Sequence, residues 1–438
     1  MTPEMITGLL VFAGMIILVL LGVPIFVSML AGSLVGFIAI GGMRMMIVQF
    51  TTAPFSLGAN YTYAVLPLFM LVGSLASVTG IAQGAFDSMH KWLGRVRGGL
   101  LYTVVCANAL FGACSGISVA GNVVFGRLAV PQLERQGYDR SLSYGTVTGA
   151  GVLSSLIPPS IPIIMWCLIT NMSIGNTLMY GLSAGIIMVV LLCLFIFVYS
   201  LIRPGKVPST KGLPKVPFSE KVKSLRYVIP ILLVFALIIG GAVWGWFPAT
   251  VGGAVAVVAL VIYALIKRVP VKEIGHCIWD AAIMNAGMFP IIMAGTIFSR
   301  FISLTGLADG MADLIAGANL PRMLVFTLVI IFYLICGCVM DIPSIIIITV
   351  PVIFPLLTGL GFSQYVLCVM LVFMCDVAGM TPPIGMNVFA VSNALKVRPM
   401  DIFKGSTPFF VLDIVCVYIM AIFPQVVEFL PKLMGIGS

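Results

Sequence analysis

The sequence predicts an all-α polytopic membrane protein built as an inverted repeat, with two re-entrant helical hairpins and two broken helices. Three observations carry that prediction. Of 438 residues, 61% are hydrophobic and 8% charged, with a mean hydropathy of +1.19, and many apolar runs are long enough to cross a bilayer. A transmembrane barrel would show short alternating segments instead. Two Pro-Pro pairs, Pro158-Pro159 and Pro382-Pro383, interrupt apolar runs and stand 224 residues apart. Finally, loops that correspond in the two halves differ in charge.

The breaks organise the rest. Adjacent prolines remove two backbone donors and stop a helix. At membrane depth such a break survives only when buried in protein or lining a cavity. In transporters it aims helix ends and free carbonyls at an ion or substrate. The second break reads Gly379-Met380-Thr381-Pro382-Pro383-Ile384-Gly385-Met386-Asn387, and the first reads Leu156-Ile157-Pro158-Pro159-Ser160.

Taken in order, the chain opens with spans over about 5–22 and 24–41; the first is a retained span and not a cleaved signal. An amphipathic piece, Met45 to Gly58, is expected along the membrane, followed by a span over 63–80 and an interfacial helix from Ala82 to Arg97. Gly98–Phe111 and Val119–Leu133 are short for spans and flank the small-residue run 112–118, which suits a re-entrant hairpin. A half-span, the first break, a half-span to Thr170 and a full span over 177–201 complete the first half. In the second, Pro248, Pro355, Phe362 and Pro382 stand 224 residues after Pro24, Pro131, Tyr138 and Pro158, and the second hairpin tip is 337–344. A last span over about 407–430 has no evident twin.

Charge sets the orientation. The Pro-rich linker 203–226 carries seven Lys or Arg (203, 206, 211, 215, 221, 223 and 226) against Glu220 alone, and is therefore cytoplasmic. The loop with Lys91, Arg95 and Arg97 is basic, whereas its twin, Leu307 to Pro321, has Asp309 and Asp313 and no base. Twin loops therefore lie on opposite faces: the repeat is inverted, the first hairpin enters from the cytoplasm, the second from outside, and both termini are external. The net charge of +9 is explained by these topology-setting loops and indicates no nucleic-acid partner.

The hairpin tips and breaks gather oxygen donors: Ser115, Ser118, Ser154, Ser155 and Ser160, then Asp341, Ser344, Thr381 and Asn387. That set fits Na⁺ better than a transition metal, which favours His or Cys. A proton relay would draw on intramembrane carboxylates or His; Asp341, Asp376 and Asp413 are the carboxylates at depth. Asp376 is equally readable as a cap for its break. Arg300, inside an apolar stretch, either snorkels outward or meets an anionic substrate. Asn122 is either a substrate contact or a packing hydrogen bond. The ten cysteines are scattered, and the Cys336/Cys338 pair reads as small apolar residues. No nucleophile–base pair, His/Glu metal motif or phosphate loop occurs, so catalytic residues are not expected.

The run Gly112 to Ser118, continuing to Pro131 and Gly137-Tyr138, with Pro158-Pro159-Ser160, Asp341-Ile342-Pro343 and Gly379 to Asn387, resembles the large membrane subunit of the TRAP (tripartite ATP-independent periplasmic) transporters. The resemblance covers the chain in order. It implies an elevator-type transporter in the bacterial inner membrane with about two Na⁺ sites, a small four-helix membrane subunit as a separate chain, and a periplasmic binding protein that delivers a small organic acid anion for import across that membrane. Carried over, the sodium sites are Ser115, Gly116, Pro158 and Ser160, and Gly337, Asp341, Gly379, Thr381 and Met386; Ser118, Asn122, Arg300 and Asn387 are candidate substrate contacts. One departure is Ile117, where many members have a second Ser; here Ser118 comes one residue later. The implied division is scaffold helices (1–80), a first transport region (81–176), a span and linker (177–226), a second scaffold (227–306), a second transport region (307–400) and a C-terminal span (401–438). The rival readings are a stand-alone ion-coupled anion carrier and, from another class, a membrane enzyme or structural subunit.

Overall fold

The computed structural model describes residues 2–208, 216–241, 245–318, 320–383 and 385–435. Lys211 and Lys215 of the basic linker and Ile384 of the second break lie outside the described residues. Among the described residues every regular element is helical, and nine helices, or ten counting one bent pair, are long and apolar enough to cross a membrane.

The first half runs α1 (Pro3–Leu20), α2 (Ile25–Gly58), α3 (Val65–Val78), α4 (Ile81–Leu93), α5 (Gly99–Ser115), α6 (Ser118–Arg135), α7 (Arg140–Gly151), α8 (Leu153–Leu156), α9 (Ile161–Thr170) and α10 (Ile174–Ile202). After the linker helix α11 (Phe218–Ser224) come α12 (Ile229–Phe235), α13 (Ala249–Ile266), α14 (Val271–Thr305), α15 (Leu307–Gly317), α16 (Arg322–Gly337), α17 (Ile342–Gly359), α18 (Gln364–Ala378), α19 (Met386–Leu395), α20 (Pro399–Ile422) and α21 (Pro424–Leu433). The starts of α2, α6 and α7 at Ile25, Ser118 and Arg140 are matched 224 residues later by Ala249, Ile342 and Gln364.

Three boundaries differ from expectation. The amphipathic piece 45–58 is continuous with the second span, kinked at Gly42, whose φ of 69° only glycine adopts readily. In the second half the corresponding arm joins the following span instead, giving the 35-residue α14 that passes through Pro290. The last span begins at Pro399, not near 407, and stops at Phe423 before the amphipathic α21. Asp401 and Lys404 occupy exposed positions of its first turns, so hydropathy marked where the apolar run starts rather than where the helix starts. With this start, 225 residues after Ile174, α20 is the twin of α10.

The two broken spans form the centre. In 140–170, 94% of the most apolar stretch is buried inside the protein, against 22% for α1 and 28% for α10. The α18 residues from Val366 to Ala378 are all buried. The outer helices turn side chains such as Leu10, Val190 and Ile266 outward, as a lipid-facing surface requires. Packing between the halves is reciprocal: α6 lies on α19 as α17 lies on α9, and α7 lies on α20 as α18 lies on α10.

The α7–α20 crossing depends on small residues. A Cβ at Gly145 would lie 2.0 Å from the Gly405 carbonyl oxygen, and one at Gly405 would lie 2.1 Å from that of Ser141. Thr148 and Ser406 share a 2.7 Å hydrogen bond beside them. Close backbone approach through small residues is how membrane helices gain packing energy. Gly145→Ala is expected to destabilise the protein by about 1–3 kcal/mol through overpacking, read as a lowered unfolding midpoint in detergent. An unchanged midpoint would mean that the crossing is looser than described.

Candidate transport site

The first tip is set by Gly116, whose φ of 63° closes α5 as a left-handed cap before extended Ile117 and the start of α6 at Ser118. The tip is joined to the first break. The Gly116 carbonyl accepts from the Ile161 amide at 3.3 Å, and a Cβ at Gly116 would lie 1.9 Å from the Pro159 carbonyl oxygen. Ser160 caps α9: its Oγ accepts from the Ile163 amide at 3.3 Å and donates to the Ser155 carbonyl at 2.5 Å. The Ser115 Oγ is buried with no hydrogen-bond partner.

The second tip is joined to its break in the same way. Gly337 lets Ala378 in, since a Cβ there would lie 2.1 Å from that of Ala378. The Cys338 Sγ lies 3.0 Å from the Pro382 carbonyl oxygen and 3.5 Å from the Thr381 Oγ1. Thr381 donates from its hydroxyl to the Ala378 carbonyl at 2.6 Å, leaving the oxygen's lone pairs open. The Gly379 and Thr381 carbonyl oxygens converge on Gly385, 2.8 and 2.9 Å from where its Cβ would stand. Asp341 occupies the N-cap position of α17 but makes no capping bond, and its half-buried carboxylate has no hydrogen-bond or ion-pair partner among the described residues.

Both tips open on one cavity of about 360 Å³. Gly116, Ile117 and Ser118 line it from the first tip, Asp341, Ile342 and Pro343 from the second, Ile161, Pro162 and Met386 from the helices after the breaks, and Met70, Met284, Met288 and Ile291 from α3 and α14. The first turns of α6, α9, α17 and α19 therefore all meet at this cavity. Each brings a positive dipole end, although in α9 the Ile161 and Ile163 amides are already bonded to Gly116 and Ser160, and in α19 the Asn387 amide is bonded to the Gly379 carbonyl.

A family model described as the tripartite ATP-independent periplasmic transporter, DctM component, matches residues 12–426. The chain belongs to this family. It is 28% identical to the C4-dicarboxylate TRAP transporter large permease DctM of Pseudomonas aeruginosa, over 87% of this chain and 89% of that one. It is 26% identical to the ectoine TRAP transporter large permease TeaC of Halomonas elongata, over 96% and 98%. Among solved structures, the YdaH transporter of Alcanivorax borkumensis shares the fold with a TM-score of 0.60 at 15% identity, over 87% of this chain and 89% of that one. The chain is thus the large permease component of a TRAP transporter, a multi-pass inner-membrane protein and not an enzyme.

Within this TRAP permease, Ser118, Gly116, Asp341 and Met386 line the central cavity. Ser115, Pro158, Ser160, Gly337, Gly379 and Thr381 lie at the joints behind it between tips and breaks. Asn122 is fully buried behind the first tip with neither amide atom partnered, its Oδ1 only 1.9 Å from where a Cβ on Gly151 would be. Arg300 lies elsewhere. It donates to Gln49 at 3.2 Å, Thr52 at 3.4 Å and Ser56 at 3.2 Å on the arm of α2, and lines a separate cavity of about 330 Å³ with Asn60, Tyr63 and Asn171. Asn387 is not a cavity wall: its Nδ2 donates to the Asp376 carboxylate at 2.6 Å and to the Asp376 carbonyl at 3.1 Å, holding α19 to the end of α18.

That bond exposes what the sequence reading left out of the site. Asp376 is fully buried, its second carboxylate oxygen unpartnered, with Ser118 and Ser155 of the other half beside it. Asp413 of α20, also fully buried with both oxygens unpartnered, stands close enough to Asp376 to repel it. The depth of both carboxylates in apolar helices was the available signal.

The donors at the joints are hydroxyl, carbonyl and carboxylate oxygens, and no group of three or more His, Cys, Asp or Glu able to hold a metal occurs among the described residues. The orphaned Ser115 Oγ, the partnerless Asp341 carboxylate and the converging carbonyls at Gly385 fit a small hard cation.

Proposed function

We propose that this permease imports a small organic acid anion by Na⁺ symport, the substrate being delivered by a periplasmic binding protein and carried by an elevator movement. The observation that carries the reading is the convergence of four helix N-termini and one carboxylate on a single cavity. The N-termini favour an anion. The Asp341 carboxylate opposes one: two like charges about 4 Å apart repel by about 4 kcal/mol at an effective dielectric near 20. A cation bound at Asp341 removes that conflict, so cation and anion affinities become linked. Sodium at one site would be held by Ser115, Gly116, Pro158 and Ser160, and at the other by Gly337, Asp341, Gly379, Thr381 and Met386. Ser118 faces the anion.

Relatives named for C4-dicarboxylates and ectoine support a carboxylate as the substrate's common group. The matching helix order of the two halves, with basic loops at opposite ends of each, supports an inverted repeat with re-entrant hairpins. In this reading residues 81–176 and 307–400 move against the scaffold 1–80 and 227–306, with 177–226 and 401–438 as connections. The partners are a small four-helix membrane subunit and the binding protein. A proton is the second reading for the coupling ion, favoured by the buried Asp376–Asp413 pair, neither member of which forms an ion pair among the described residues.

Proteoliposomes with this chain and the small subunit test the reading: labelled organic acids are supplied with and without a Na⁺ gradient, and with and without the binding protein. Uptake needing both supports it; sodium-driven uptake without binding protein shifts the reading to a stand-alone carrier, and uptake driven by a pH gradient alone shifts it to proton coupling. Arg300, in its own polar cavity, is assigned an approach role: Arg300→Gln keeps hydrogen-bonding capacity toward the arm but removes the charge. It is expected to raise the apparent KM several-fold with kcat held. An unchanged KM would leave Arg300 as a structural tie between α14 and the α2 arm.

A further inference from the structure

We propose that the permease holds an anionic phospholipid at its cytoplasmic surface, headgroup beside Lys91 and Lys267 and acyl chain in the groove between α12 and α13. Two cavities meet there. The first, about 480 Å³, runs along one face of α4 from Thr79 and Gly80 to His90 and Lys91, and is closed by Tyr227, Tyr263 and Lys267. The second, about 370 Å³, is apolar and lies between Ile229, Leu233 and Val234 on α12 and Leu260, Ile262 and Ile266 on α13. Tyr263 belongs to both walls, so the polar chamber and the apolar groove adjoin at its ring. That is the shape of a headgroup joined to a chain.

The charge of the chamber fits an anion. Neither Lys91 nor Lys267 forms an ion pair among the described residues. The Lys267 Nζ lies 5.6 Å from the ring centroids of both Tyr227 and Tyr263, and Arg226 donates to the Tyr227 hydroxyl at 2.6 Å. The first turn of α4 adds its amide end. Asp87 also lines the chamber, with an oxygen occupied by Gln83 Nε2 at 2.8 Å. Burial lowers the pKa of His90, with Asp87 opposing the shift, so the lysines supply the positive charge. Arg95, Arg97, Lys221, Lys223 and Arg268 lie in the same loops, and by the distribution of basic residues this is the cytoplasmic end, where anionic lipids lie.

The channel side chains are strongly exposed, with Ile262 at 53%, Leu233 at 49% and Ile266 at 72%. A protein helix would cover them without answering the two unpaired lysines. A lipid answers both features with one molecule. The assignment is independent of sodium coupling and of the transported substrate.

The test uses the full chain, purified in detergent, stripped of lipid and titrated with phosphatidylglycerol or phosphatidylcholine, with bound lipid counted by native mass spectrometry. Wild type is expected to prefer phosphatidylglycerol by about tenfold, a difference of about 1.4 kcal/mol. Lys91→Glu with Lys267→Glu should abolish the preference, and Leu233→Trp with Ile262→Trp should weaken both lipids alike. If charge reversal compromises folding, Lys91→Gln with Lys267→Gln carries the same expectation. Equal phosphatidylglycerol binding by wild type and the lysine variants overturns the proposal. So does competition by soluble glycerol phosphate as strong as by the lipid, which would make this a phosphate site, or loss of the lipid once the small subunit is bound, which would make the groove a protein interface.

Discussion

Gly116→Ala is expected to reach the membrane in normal amount and to lose uptake by roughly tenfold or more, the scale on which a site fails when its parts shift by about 1 Å. Two costs add. A left-handed conformation costs a residue with a Cβ about 1–2 kcal/mol, and the Gly116 φ is 63°. The new Cβ would also sit 1.9 Å from the Pro159 carbonyl oxygen, a backbone atom that cannot swing aside, and overpacking of that kind costs about 1–3 kcal/mol. The sum stays below the stability of about 5–15 kcal/mol that proteins generally hold, so the fold survives. What gives way is the joint: the tip withdraws from the break, and the bond from the Ile161 amide to the Gly116 carbonyl opens. Gly137→Ala separates the two costs, because Gly137 has a φ of 82° and nothing within 4 Å of an added Cβ. It should transport nearly as wild type. Equal losses from both substitutions would mean that backbone conformation, and not the tip–break contact, matters at Gly116.

Much of this architecture was legible in the sequence, for a physical reason. A membrane denies the backbone any solvent partner, so helices are compulsory and their interruptions conspicuous. Pro158-Pro159 and Pro382-Pro383 therefore located both breaks, and their common spacing with Pro24, Pro131 and Tyr138 located the repeat. Helix ends were less legible where charge and helix overlap: α20 starts at Pro399, ahead of the apolar run that suggested 407. What remained hidden was which distant residues meet. Arg300 finds Gln49, Thr52 and Ser56 some 250 positions away, so a residue read as a snorkelling or substrate-binding cation is held by the α2 arm outside the central cavity. Asp376 was readable as a cap for its own break, and Asn387 does bind it there; its approach to Ser118 and Ser155 joins the two halves, and no local pattern encodes that. Ile117, the departure from the family's usual Ser, proves to be an apolar wall of the cavity, and Ser118, the next residue and the first of α6, lines the cavity as well.

Asp341→Asn is expected to flatten the sodium response of uptake, lowering the ratio of uptake with Na⁺ to uptake without it by roughly tenfold or more, as loss of a group that supports a metal typically costs about 10–100-fold in affinity. The substitution is nearly isosteric, and Asp341 makes no hydrogen bond or ion pair among the described residues that its loss would break, so a folding defect is not the expected cause. Two electrostatic terms change together. The cation loses the one charged ligand at its site, which weakens its binding. The anion loses a repelling neighbour in the shared cavity, which strengthens its binding when sodium is absent. Both changes act on the ratio in the same direction, and so the effect is large. Thr381→Ala changes only the first term. With its hydroxyl already donating to the Ala378 carbonyl, the threonine offers a lone pair and no charge, and its loss should raise the sodium concentration for half-maximal uptake while sodium-free uptake stays negligible. Measuring uptake against sodium concentration for both variants therefore separates the roles. If both keep the full wild-type response, sodium does not bind at the second tip, and the conflict between Asp341 and an anion in the cavity must be resolved by another cation.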